Sequence, residues 1–158
     1  MIPEAPYIFS VAALSVTLAG FAGLVAAFRR GGEWTAMTVF RLREIAEFGL
    51  GNAFLALLLI PLATTLGDLS AALRICGAGG IIFVLIGGVV LIRRRRALRL
   101  APEMGWYVLG GATDVGAIGA GIAAAVAGTV GLFEWQLLFL LARPMLAFAL
   151  VLASLRHD

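Results

Sequence analysis

Residues 106–131 read WYVLGGATDVGAIGAGIAAAVAGTVG, and this stretch decides the fold. It exceeds the roughly 20 residues that a helix needs to cross a bilayer, yet its middle holds almost no bulky side chain. On a helix, Ala112, Gly116, Ala120, Ala124 and Gly128 fall at steps of four and make one small-residue stripe. Gly111, Gly119, Ala123, Ala127 and Gly131 form a neighbouring set. Small residues let helix backbones approach closely, which is how helices associate where lipid removes the hydrophobic drive. The segment also carries a carboxylate, Asp114, at membrane depth. These features predict a helix at the centre of a membrane bundle.

Composition agrees with a membrane chain. Of 158 residues, 62% are hydrophobic and 13% charged, and the mean hydropathy is +1.05. Soluble domains run nearer half apolar and a quarter charged. One compact integral membrane domain over residues 1–158 is expected. The single cysteine, Cys76, excludes an internal disulfide. All twelve basic residues are arginine, and their place at helix ends fits membrane topology better than nucleic acid.

Apolar runs place five spans, at 8–28, 45–66, 73–92, 106–131 and 133–155. The segment before the first lacks the positive flank of a signal peptide, so that span reads as retained. The linker containing Trp34 reads equally as a short interfacial helix or as a water-exposed extension of the second helix. Arg43 at the end of that linker and Glu47 at the start of the second span stand four residues apart and can pair. Pro61 is expected to kink the second span. A four-span arrangement, with 106–131 only half inserted, is the alternative. Four arginines lie in 29–44, five in 93–105 and one in the tail. The positive-inside rule then puts the N-terminus outside and the C-terminus in the cytoplasm.

Little in the chain suggests catalysis. The one histidine, His157, stands two residues from the end, and a lone cysteine makes no thiolate cluster, so no metal or haem site is expected. No lysine exists for a phosphate-binding loop, and no cofactor is expected. Arg93, Arg94, Arg95 and Arg96 could hold anionic lipid headgroups or simply anchor the third helix. A polar layer remains. Asn52 and Asp114 stand about eight residues inside their spans and Arg143 about twelve, with Thr17 at similar depth. Intramembrane charges usually face a bundle interior and pair with one another. An Asp114–Arg143 pair is expected, either to fix helix register or to serve an ion or substrate path. Pro144 leaves the Leu140 carbonyl without its usual donor beside that pair.

The opening pattern, FAGLVAAFRRGGEW followed by RLREIAEFGLGNAFLALLLIPL, resembles small bacterial multi-pass inner-membrane proteins of no named activity. The resemblance covers roughly the first 65 residues and implies a bacterial inner-membrane location. The resulting expectation is an all-α, five-helix, non-enzymatic membrane protein. It would pack with lipids and with copies of itself or other membrane subunits, without nucleic acid, while Gly116, Ala120, Ala124 and Gly128 would pack against other helices and not against lipid. The competing expectation is a small transporter or channel built on Asn52, Asp114 and Arg143.

Overall fold

The computed structural model describes residues 5–28, 35–101 and 103–154. The expected interfacial placement of Trp34, the Arg29–Arg30 pair and the tail residues Arg156, His157 and Asp158 lie outside the described residues. Five helices follow in order: α1 (Ala5–Phe28), α2 (Ala36–Leu66), α3 (Leu69–Ala97), α4 (Met104–Ala127) and α5 (Val130–Ser154). All five are long and apolar enough to cross a membrane, the fourth included.

Two boundaries differ from the hydropathy reading in ways that matter for the site. The second helix starts nine residues before 45, because Thr35 caps it: its hydroxyl accepts from the Thr38 amide at 3.1 Å. The linker is thus a helical extension from Ala36 onward, but a largely buried one, with Thr38, Phe40, Arg41, Leu42 and Glu44 all covered. The fourth helix stops at Ala127, because Gly128 takes a left-handed φ of 62° and caps the Ala124 carbonyl. Between α2 and α3 the turn is equally tight. Gly67 closes α2 at φ 65°, and the Asp68 carboxylate caps α3 by accepting from the Ser70 and Ala71 amides.

Successive helices pack around a ring, α1 on α2, α2 on α3, α3 on α4 and α4 on α5, and α5 closes it on α1. The ring is pinched, since α5 also packs along α2 and touches α3. The core therefore sits on α2 and α5. Leu55, Ala56 and Leu59 meet Phe133, Leu137 and Leu140 there, with Leu73 and Cys76 of α3 and Ile8 and Val11 of α1. This corrects the expectation that α4 is central. Among the described residues no Cα of α4 lies within 8 Å of α1 or α2, and Val108, Val115, Ile122 and Val126 face outward.

The small residues of α4 divide accordingly. Its buried face is Trp106, Gly110, Ala117, Gly121 and Ala124, so the covered stripe is rotated from the one read in sequence. Of the four packing candidates, Ala124 is fully buried. A side chain at Gly116 would strike the Phe139 ring at 2.6 Å, and one at Gly128 would strike Ser70 at 2.2 Å. Ala120 is half-buried and Ala112 exposed. Two glycines sit at close backbone crossings: an added Cβ at Gly77 of α3 would lie 2.9 Å from the Ala125 amide nitrogen and 3.0 Å from the Gly121 carbonyl, and one at Gly49 of α2 would lie 2.8 Å from the Ser15 carbonyl of α1.

Candidate functional site

Along α2, Glu44, Phe48, Asn52 and Ala56 follow at steps of four and all are buried. One helix face thus carries a carboxylate, a ring and an amide into the bundle. Glu44 stands eight residues into α2, roughly 12 Å from its start at about 1.5 Å per residue. It is 1% exposed.

Arg143 of α5 meets Glu44 there, its Nε donating to Glu44 Oε1 at 2.9 Å. Its Nη1 donates to Oδ2 of Asp114 on α4. The indole Nε1 of Trp106, also on α4, donates to the other Glu44 oxygen at 2.9 Å. The Arg143 guanidinium carbon lies 4.8 Å from the centre of the Phe48 ring and 5.3 Å from that of Trp106, within cation–π range. Three helices therefore join at one guanidinium held by two carboxylates. The expected Asp114–Arg143 contact is present. Glu44 and Trp106 are the members that sequence reasoning missed.

Those partners have a structural consequence. With no Cα of α4 within 8 Å of α2, the Trp106–Glu44 bond and the Arg143 bridge tie the two helices through side chains alone. Removing one member of a buried ion pair leaves an uncompensated charge, which typically costs about 3–5 kcal/mol. The node is thus a strong constraint on the position of α4.

Asn52, expected in the same layer, belongs to another. Its Nδ2 donates to the Ser15 hydroxyl at 3.0 Å and to the Leu137 carbonyl at 3.3 Å. Thr17 does not enter either layer; it is exposed and bonds back to the Ala13 carbonyl. Beside this layer Gln136 donates to the Gly77 carbonyl at 3.0 Å. Gly80 and Gly121 make room for its amide, since a side chain on either would meet Gln136 Nε2 within 2.3 Å. Both amide oxygens, Asn52 Oδ1 and Gln136 Oε1, are buried without a hydrogen-bond partner.

Toward the end formed by the starts of α2 and α4 and the ends of α3 and α5, charge continues. Arg41 donates to both oxygens of Glu103, at 2.7 and 2.8 Å, and to the Leu150 carbonyl at 3.2 Å. Glu47 takes Arg43 at 2.7 Å, the pair read from spacing, and Arg94 as well at 2.6 Å. The arginine run is not one surface. Arg93 and Arg96 are exposed, Arg94 is held by Glu47, and Arg95 is 2% exposed. Arg95 donates to the Ala101 carbonyl and lies 4.7 Å from the Trp106 ring centre and 5.1 Å from that of Tyr107. It is therefore unavailable to a lipid headgroup, which corrects the reading of all four arginines as equivalent. The signal was in the spacing: Val84, Leu91 and Arg95 continue the buried face of α3.

Asp114 keeps 23% of its side chain exposed. That exposure opens into a pocket of about 110 Å³ between α3 and α4, lined by Gly88, Ile92, Trp106, Tyr107, Gly111, Asp114 and Arg143. Three larger grooves, of about 380, 550 and 240 Å³, each take in a residue of α1; among the described residues Arg43 lines the first and Glu134 the third, and the other lining side chains are uncharged. Among the described residues no group of three or more His, Cys, Asp or Glu could hold a metal ion. No family model, curated protein or solved structure matches the chain.

Proposed function

We propose that the chain is a non-enzymatic, multi-pass protein of the bacterial inner membrane that works by associating with copies of itself. Its N-terminus faces outward and its C-terminus the cytoplasm, because Arg43, Arg93, Arg96 and Arg99 gather exposed at the bundle end where α2 and α4 begin. The observation that carries association is the placement of glycine on outer faces. Around Gly20 and Gly23 of α1 and Gly119 of α4, nothing of the chain's own neighbouring helices comes within 4 Å of an added Cβ. Glycine on a lipid-facing surface packs little, whereas at a helix–helix contact it permits close approach. The internal charges support the same reading, since Glu44, Arg143 and Trp106 are paired with one another and with Asp114 and are spent on holding the bundle.

The test is the oligomeric state in lipid nanodiscs or a mild detergent. Gly20→Leu and Gly23→Leu should leave the monomer folded, because both sites are open within the chain, and should abolish self-association. A parent that is monomeric at all accessible concentrations overturns the proposal. One observation favours a second reading, a small transporter: Asp114 of the buried node faces the pocket between α3 and α4.

A further inference from the structure

We infer that the α3–α4 pocket is a lateral binding site for the headgroup of a lipophilic cation, an amine or quaternary ammonium carried on an apolar chain. The inference deepens the transporter reading by naming a ligand class, and it is tested by binding alone.

The charge of the site favours a cation. Glu44 of α2 and Asp114 of α4 share the single guanidinium of Arg143 from α5, so the node holds one carboxylate more than it has cations. The surplus faces the pocket, because Glu44 is fully enclosed whereas Asp114 is partly open. The other nearby cation, Arg95 of α3, is not in the pocket lining. It lies against Trp106 and is engaged with the Ala101 carbonyl. An anionic headgroup would be repelled by Asp114, and a neutral one would leave it uncompensated in a low-dielectric setting where unpaired charge is costly.

The pocket opens sideways. Ile92, Tyr107 and Gly111 at the mouth are exposed on the outer surface of the bundle, where the bilayer lies. Gly88 and Gly111 keep the mouth open, since no atom of a neighbouring helix among the described residues lies within 4 Å of a Cβ added to either. Above and below the mouth, Val89 and Leu85 of α3 and Val108 and Val115 of α4 are more than half exposed and offer an apolar track for a chain. The room also suits such a headgroup, since the pocket of about 110 Å³ is far larger than one water needs and admits an ammonium with its first carbons. Trp106 and Tyr107 supply aromatic walls suited to such a cation.

The experiment uses the full chain in nanodiscs of uncharged lipid, with Trp34→Phe and Trp135→Phe so that Trp106 is the sole tryptophan. The probes are three twelve-carbon amphiphiles brominated next to the head, with trimethylammonium, sulfate or hydroxyl heads. The trimethylammonium probe should quench Trp106 saturably, at a concentration at least tenfold below the other two. Asp114→Asn should remove that preference. Gly111→Leu should weaken quenching by all probes while leaving every charge in place, and it carries the test if Asp114→Asn fails to fold. Equal quenching by the three probes, or parental quenching in Gly111→Leu, overturns the site. Binding without uptake into proteoliposomes would retain the site and remove the transport reading.

Discussion

The node around Arg143 and the amide layer around Asn52 and Gln136 are both buried in the same bundle, yet they are finished to different standards. In the node, Glu44, Trp106 and Arg143 leave no buried nitrogen or oxygen without a partner. In the amide layer, each side chain donates and neither oxygen accepts. The difference follows from the energies. An unpartnered buried carbonyl costs roughly 1–3 kcal/mol, which a bundle can carry. A lone buried charge costs several kcal/mol after relaxation, so the charged layer has to be complete. Within the node, charge fixes the geometry; elsewhere the bundle is less strict, since Arg95 is buried with its Nε and Nη1 unpartnered and is held only by the Ala101 carbonyl and the rings around it.

The largest expected effect breaks the node. Arg143→Gln leaves Glu44 and Asp114 without a cation and should lower stability by about 3–5 kcal/mol, read by denaturant unfolding in detergent. A loss under 1 kcal/mol would place the node on a par with the amide layer and erase the contrast. Next comes close packing. Gly77→Leu drives a side chain into the α4 backbone, where Ala125 and Gly121 cannot move aside. It should cost about 1–3 kcal/mol by overpacking, without altering either polar layer.

The amide layer should be more forgiving. Gln136→Met removes one hydrogen bond and one unpartnered oxygen together, so its net cost should stay near or below about 1 kcal/mol. A loss as large as that of Arg143→Gln would show that the layer is as tightly determined as the node. The smallest effect is expected at the surface pair. Arg43→Ala breaks an exposed contact to Glu47 worth about 0.2–0.5 kcal/mol, and Glu47 keeps Arg94.

Sequence patterns reveal the five helices because length and apolarity dominate membrane insertion, and the Asp114–Arg143 contact because two deep opposite charges have few other options. Glu44 escapes that logic. It sits among Arg41, Arg43 and Glu47 in a segment whose charge density reads as a water-exposed linker, and only the Thr35 cap and the four-step face through Phe48 and Asn52 give it away. The place of α4 escapes for another reason. A helix lined with glycine and alanine can pack on several sides, but composition does not say how many neighbours the chain supplies. Here α3 and α5 are its backbone neighbours, and the rest of its small residues face outward.

The most direct test of the charge-clamp account compares Arg143→Gln with the triple variant Glu44→Gln, Asp114→Asn, Arg143→Gln by thermal unfolding in the same detergent. The account predicts that the triple variant is clearly more stable than the single, since no unpaired charge remains, and that Asp114→Asn with Arg143→Gln recovers less because Glu44 stays behind. A triple variant no more stable than Arg143→Gln alone would contradict the claim that one guanidinium balances both carboxylates.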